Sequence, residues 1–122
     1  MAERVSFIHH RAVEILFIDW SNATSEEILV AIEDAKKKIA SRPEKSVRTL
    51  TYVTNARVDR RVTEALKDYV AHNKRYVLAG AVVGLNDLKT IVFNFVNRAT
   101  GRSLRAMDSV DQAKEWLAAA KA

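Results

Sequence analysis

Cysteine is absent and the two residues that most often interrupt regular structure are scarce: the 122 residues hold no Cys, one Pro and three Gly. The first absence excludes disulfide frameworks, thiolate metal sites and cysteine nucleophiles, and suits a reducing compartment. The other two speak against a collagen-like repeat, a long linker or a disordered tail, so ordered structure is expected nearly end to end. Long apolar runs are missing as well. Stretches such as Tyr76 to Val83 fall far short of the roughly 20 residues that span a bilayer. Met1 to Arg11 mix charges with two histidines and lack the basic start and apolar run of a secretory signal, so the chain reads as cytoplasmic with no transmembrane segment.

What is present suits one α/β domain over residues 1–122. Hydrophobic residues make up 48% and charged residues 29%, enough apolar material at this length to fill one core. The net charge of +5 and the isoelectric point near 9.7 raise the possibility of an acidic partner. The basic residues are scattered, however. The longest run, Lys36 to Lys38, lies on a helix rich in glutamates, and no nucleic-acid motif accompanies the charge, which therefore reads as ordinary solvated surface.

Two apolar runs, Val5 to His9 and Val13 to Trp20, open the chain as a β-hairpin, the second apolar on both alternating faces as a central strand should be. Thr24 stands three residues before Glu27, a capping-box spacing, and Ile28, Ile32, Ala35 and Ile39 follow at helical spacing, so a helix is expected from Ser25 to about Ser41. Val47 to Thr54 is a β-branched strand, followed by a polar corner at Asn55 to Asp59. Val62, Leu66, Tyr69 and Val70 mark a second helix, and Tyr76 to Val83 a buried strand ending at Gly84. Leu85, Leu88, Val92, Val96 and Ala99 form the apolar stripe of a third helix closed by Gly101, a natural left-handed cap. Leu104 to Met107 is a short strand, and Ser109 with Gln112 repeats the capping-box spacing before a last helix through Ala120. The order ββαβαβαβα predicts a mostly parallel five-stranded sheet with an antiparallel first strand and four helices.

This order, together with Ile15-Leu16-Phe17-Ile18-Asp19-Trp20-Ser21, Leu50 to Thr54, Ala79-Gly80-Ala81-Val82-Val83-Gly84 and Ala113-Lys114-Glu115-Trp116-Leu117, resembles the SpoIIAA-like proteins. That group is similar in fold to STAS domains and to CRAL-TRIO lipid-binding domains. The resemblance covers nearly the whole chain and rests on fold-making apolar patterns, so it implies the fold more than a function. Anti-sigma-factor antagonists of the STAS family carry a phosphorylatable serine where the third strand passes into the next helix. Here Thr54 to Arg61 occupy that junction. Asp59 matches the acidic position, but Arg60 and Arg61 stand where hydroxyl residues and a glycine would be, and Thr54 and Thr63 are the nearest hydroxyls. The phospho-switch is accordingly expected to be absent.

Ligands of open parallel sheets meet the carboxyl ends of the strands, where loops converge and helix N-termini present free amides. Here that edge gathers Trp20, Ser21, Asn22, Thr54, Asn55, Arg57, Arg60, Arg61, Gly84 to Asn86, and Asp108 with Ser109. Arg57, Arg60 and Arg61 could take a phosphate or carboxylate; alternatively Asp59 caps the helix and pairs with them locally. On the third helix Ile91, Phe93 and Phe95 widen the apolar arc and mark a candidate surface for self-association or a partner, burial within the domain being enough to account for Phe95.

His9, His10 and His72 have no metal-ligand spacing, and the serines at 21, 25, 41, 46, 103 and 109 lack a nucleophile setting. No glycine-rich phosphate loop is present, so no cofactor and no catalytic residue is assigned. The sequence therefore reads as a non-enzymatic binding or regulatory module acting through a protein partner or self-association. The alternative is a binder of a lipid or an anionic, phosphorylated metabolite near Arg57, Arg60 and Arg61.

Overall fold

A computed structural model describes residues 3–121; Met1, Ala2 and Ala122, which the domain reading includes, lie outside the described residues. The hairpin is β1 (Val5–His10) and β2 (Val13–Asp19). It is followed by α1 (Ser25–Ala40), β3 (Val47–Tyr52), α2 (Arg60–Asn73), β4 (Val77–Val83), α3 (Asp87–Thr100), β5 (Arg105–Met107) and α4 (Val110–Ala119). The strands lie side by side in chain order, β1 antiparallel to β2 and every other neighbour parallel, so the α/β architecture is the one the sequence pattern predicts.

Strand order decides where the helices go. Each strand is laid beside the previous one in a constant direction, and right-handed crossovers then place α1, α2 and α3 on one face. Leu16, Ile18 and Val47 meet Ile28, Ile32, Ile39, Val62, Val70 and Val96 there. Ile15, Leu50, Ala81 and Val83 point the other way and are covered by Ala113 and Leu117 of α4. This two-sided burial explains why β2 is apolar at both parities.

The turn between β1 and β2 is made by Arg11 and Ala12, both at positive φ (52° and 62°), the hand that matches strand twist. α4 is tied to that turn by Glu115, which lies 2.7 Å from Arg11 Nε and 3.2 Å from His10 Nε2. On the same face Arg48 of β3 donates to the carbonyls of Leu117 and Ala120, both at 2.9 Å, adding to the Ala120 amide bond on Leu117 at the end of α4.

The helix ends follow their caps. Thr24 and Glu27 form a reciprocal capping box on α1, Gly101 ends α3 in the left-handed region at φ 70°, and Ser109 accepts from the Gln112 amide at 3.1 Å. Asp59 and Asn86 cap α2 and α3 in the same way.

Several carboxylates are held below their ordinary range. A side-chain hydrogen bond from Arg42 lowers Glu14, one from Arg11 lowers Glu115, the Thr24 amide lowers Glu27, and the Val62 amide lowers Asp59. A carboxylate depressed in the folded state contributes stability above its unfolded value and loses it as pH falls through the folded one. Urea midpoints at constant ionic strength are therefore expected to stay level down to about pH 5 and to decline progressively below it. A midpoint unchanged at pH 3 would contradict these pairings.

Candidate binding face at the third helix

The loops at the carboxyl ends of β2, β3 and β4 are stitched together by backbone. Trp20 N donates to Tyr52 O, Asn22 N to Thr54 O, Val53 N to Val83 O and Arg57 N to Ala23 O, at 2.8 to 3.0 Å. Asn22 and Asn55 are both at positive φ, Asn55 Nδ2 donates to Asn22 Oδ1 at 3.2 Å, and the Ser21 hydroxyl donates to the Asp19 carboxylate. Gly84, at φ 97°, lies so close to Thr54 that a Cβ would stand 2.8 Å from the Thr54 backbone nitrogen. The residues named at this edge are thus brought together, but chiefly to hold the loops to one another.

One arginine of the corner is engaged within the chain. Arg61 pairs with Glu26 at 2.5 Å and with Asp59 at 3.4 Å, which raises its pKa, and Asp59 accepts from the Val62 amide at 2.9 Å. Arg57 and Arg60 are exposed beside it. Thr63 donates back to the Asp59 carbonyl, so the hydroxyl nearest the helix start is engaged with the backbone. The local pairing that stood as the alternative to an anion site is thus present for Arg61 and, among the described residues, not for Arg57 or Arg60.

The larger departure from the sequence reading is the rotation of α3. Leu88 and Ala99, placed by spacing on the sheet-facing stripe, are exposed, Leu88 by 71%. Ile91 and Phe95 accompany Leu88 on the outside at 66% and 43%, so burial does not account for Phe95. Leu85, Lys89, Val92, Phe93 and Val96 face inward instead. The cause is the width of the apolar arc. Leu88, Ile91, Phe95, Val92, Val96 and Phe93 cover roughly 200° of the helix, and a sheet takes up only about half of that. Val96 is the one buried residue of α3, whereas α1 buries five.

Beneath α3 lies an apolar cavity of about 90 Å³. Thr51 of β3, Val53 just after it, Val82 of β4, Leu66, Tyr69 and Val70 of α2, and the inward residues of α3 line it, together with Trp20 and Leu104. The Trp20 ring packs tilted against Tyr69, centroids 6.2 Å apart. Trp20 is 4% exposed and its indole Nε1–H has no partner, a buried unsatisfied donor that costs about 1–3 kcal/mol. Burial raises the Tyr69 phenol well above its ordinary pKa. Beside it Arg102, its own pKa lowered by burial, donates to the Val70 carbonyl at 3.0 Å.

Compared with protein-family models, curated proteins and solved structures, the chain matches none. Its chemistry must be read from the geometry alone. Among the described residues no three His, Asp or Glu side chains are grouped to hold a metal ion, and no helix is long and apolar enough to cross a membrane.

The structure divides the sequence-marked residues into two sets. Trp20 borders the cavity and Phe93 closes it, while Ile91 and Phe95 face outward beside Leu88. Sequence reasoning missed Leu88 as a surface residue, and Tyr69 and Lys89 as cavity walls. A tryptophan directly after an apolar strand and an apolar arc too wide for one contact were the available signals.

Proposed function

We propose that this chain is a non-enzymatic binding module of the SpoIIAA-like (STAS) type that acts by pairing with a second copy of itself across α3. The observation that carries the reading is the run of Leu88, Ile91 and Phe95, large apolar side chains exposed on successive turns of one helix. Scattered apolar residues on a surface are ordinary, but a contiguous stripe is favoured at an interface. A twofold axis near the middle of α3 sets two such helices antiparallel. Leu88 then faces Phe95 of the partner, and Asp87 on the first turn faces Arg98 on the last, so that apolar and charged groups are both matched. Membership of the SpoIIAA-like group draws on the order of elements; at the position of the family's phosphorylatable serine stand Arg60 and Arg61, with Thr63 one turn into α2.

Sedimentation velocity from micromolar to near-millimolar protein tests the pairing. A reversible dimer is expected, and Leu88→Asp with Ile91→Asp is expected to return it to monomer with the circular dichroism spectrum unchanged, because both side chains are exposed. A monomer throughout the range, or a dimer indifferent to the substitutions, would overturn self-association. Capture of a different protein by the wild type and not by the double variant would replace the second copy with that partner.

A small-ligand reading has weaker support at Arg57, Arg60 and Arg61, since Arg61 is engaged by two acids. It has firmer support beneath α3.

A further inference from the structure

We propose that the cavity under α3 is a binding site for an apolar monocarboxylate of fatty-acid type, its alkyl end inside and its carboxylate on Lys89. This rests on the cavity and stands apart from the dimer reading, which uses a different side of the helix.

The volume bounds the occupant. At about 90 Å³ the space is smaller than the ~150 Å³ apolar cavity that takes up benzene, so it admits the end of an alkyl chain and leaves the remainder to emerge past α3. The wall selects its character. Val53, Val58, Leu66, Val70, Val82 and Val92 offer hydrocarbon, which favours an alkyl chain and opposes any group needing several hydrogen bonds. Lys89 is the single charged residue of the lining, and among the described residues it forms no ion pair. A long aliphatic stem along an apolar wall with its ammonium at the rim is how lysine accommodates both environments. An apolar molecule with one negative end matches that pattern, whereas a neutral hydrocarbon leaves the cation unused and a dianion finds no second cation among the lining residues. α3 is also suited to admit a guest, because a single buried side chain, Val96, holds it against the sheet while its outer residues make no demand on the core.

Trp20 borders the cavity and reports on it; Trp116, on the far face of the sheet, is removed by Trp116→Phe. In that background, octanoate below its micellar range is expected to change Trp20 emission saturably, and calorimetry to give one site per chain. Lys89→Gln is expected to weaken octanoate roughly five- to tenfold while leaving 1-octanol unaffected, the difference of one charge-assisted contact at a partly exposed position. Val92→Phe, which fills the cavity, is expected to abolish both; should it fail to fold, Lys89→Gln still decides. The Leu88→Asp, Ile91→Asp protein is expected to bind octanoate normally, separating this site from the dimer face. Three results would overturn the proposal: no saturable response to octanoate, equal octanoate affinity in Lys89→Gln, or a response to phosphatidylglycerol vesicles with none to monomeric octanoate.

Discussion

Gly84→Ala is expected to destabilise the protein by about 2–4 kcal/mol, a large part of the 5–15 kcal/mol that holds a domain of this size together. Two independent causes act at this position. The backbone is in the left-handed region at φ 97°, which disfavours any side chain. A Cβ would also stand 2.8 Å from the Thr54 backbone nitrogen, in a segment already fixed by the Asn22 to Thr54 and Val53 to Val83 bonds, so the neighbour cannot retreat cheaply. Urea unfolding of the variant measures the effect. A loss under 1 kcal/mol would mean that the loops after β3 and β4 are less closely joined than they stand. Gly80 makes a useful contrast. A Cβ there also meets side chains too closely, at Leu104 Cδ2 and Thr49 Oγ1, but a leucine can rotate where backbone cannot.

Leu117→Ala is expected to cost 2–5 kcal/mol and to lower the melting temperature by roughly 10 °C or more. Leu117 is fully buried, and with Ala113 it supplies the only fully buried side chains of α4, the one helix covering Ile15, Leu50, Ala81 and Val83. The other face is shared by three helices, so a comparable truncation there can be partly absorbed by neighbours. Here the cavity opens under a single ten-residue helix. Hydrogen exchange should show α4 losing protection before α1. Protection lost equally everywhere would indicate that the second face is held by something besides Leu117.

The fold was legible because its signals were local. Thr24 with Glu27, Ser109 and Gly101 announce helix ends through backbone groups that must be satisfied nearby, and the β-branched run Val47 to Thr54 declares a strand on its own. β2, apolar at both parities, announced two covering layers, although which helix lies on which face depends on strand order. The binding face was less legible for a specific reason. On α3 the apolar arc is wider than one contact requires, so periodicity allowed Leu88 or Lys89 to point inward, and only packing against Val82 and Leu66 settles the rotation. Lys89 was hidden further by its charge, which marks it as solvated although its stem lines an apolar wall. Arg61 was legible as a basic residue by a helix start, but not as the partner of Glu26, which lies 35 positions away in the chain.

A sheet whose strands lie side by side in chain order can be assembled as it is synthesised. Each new strand finds its neighbour already in place, and α1, α2 and α3 cover the first face as they emerge. The second face follows a different schedule. Ile15, Leu50, Ala81 and Val83 have no helix over them until residues 110–119 leave the ribosome, so a nascent chain stalled at β5 carries a bare apolar flank. The arrival of α4 thus decides whether the second face is covered or left free to adhere to neighbouring chains.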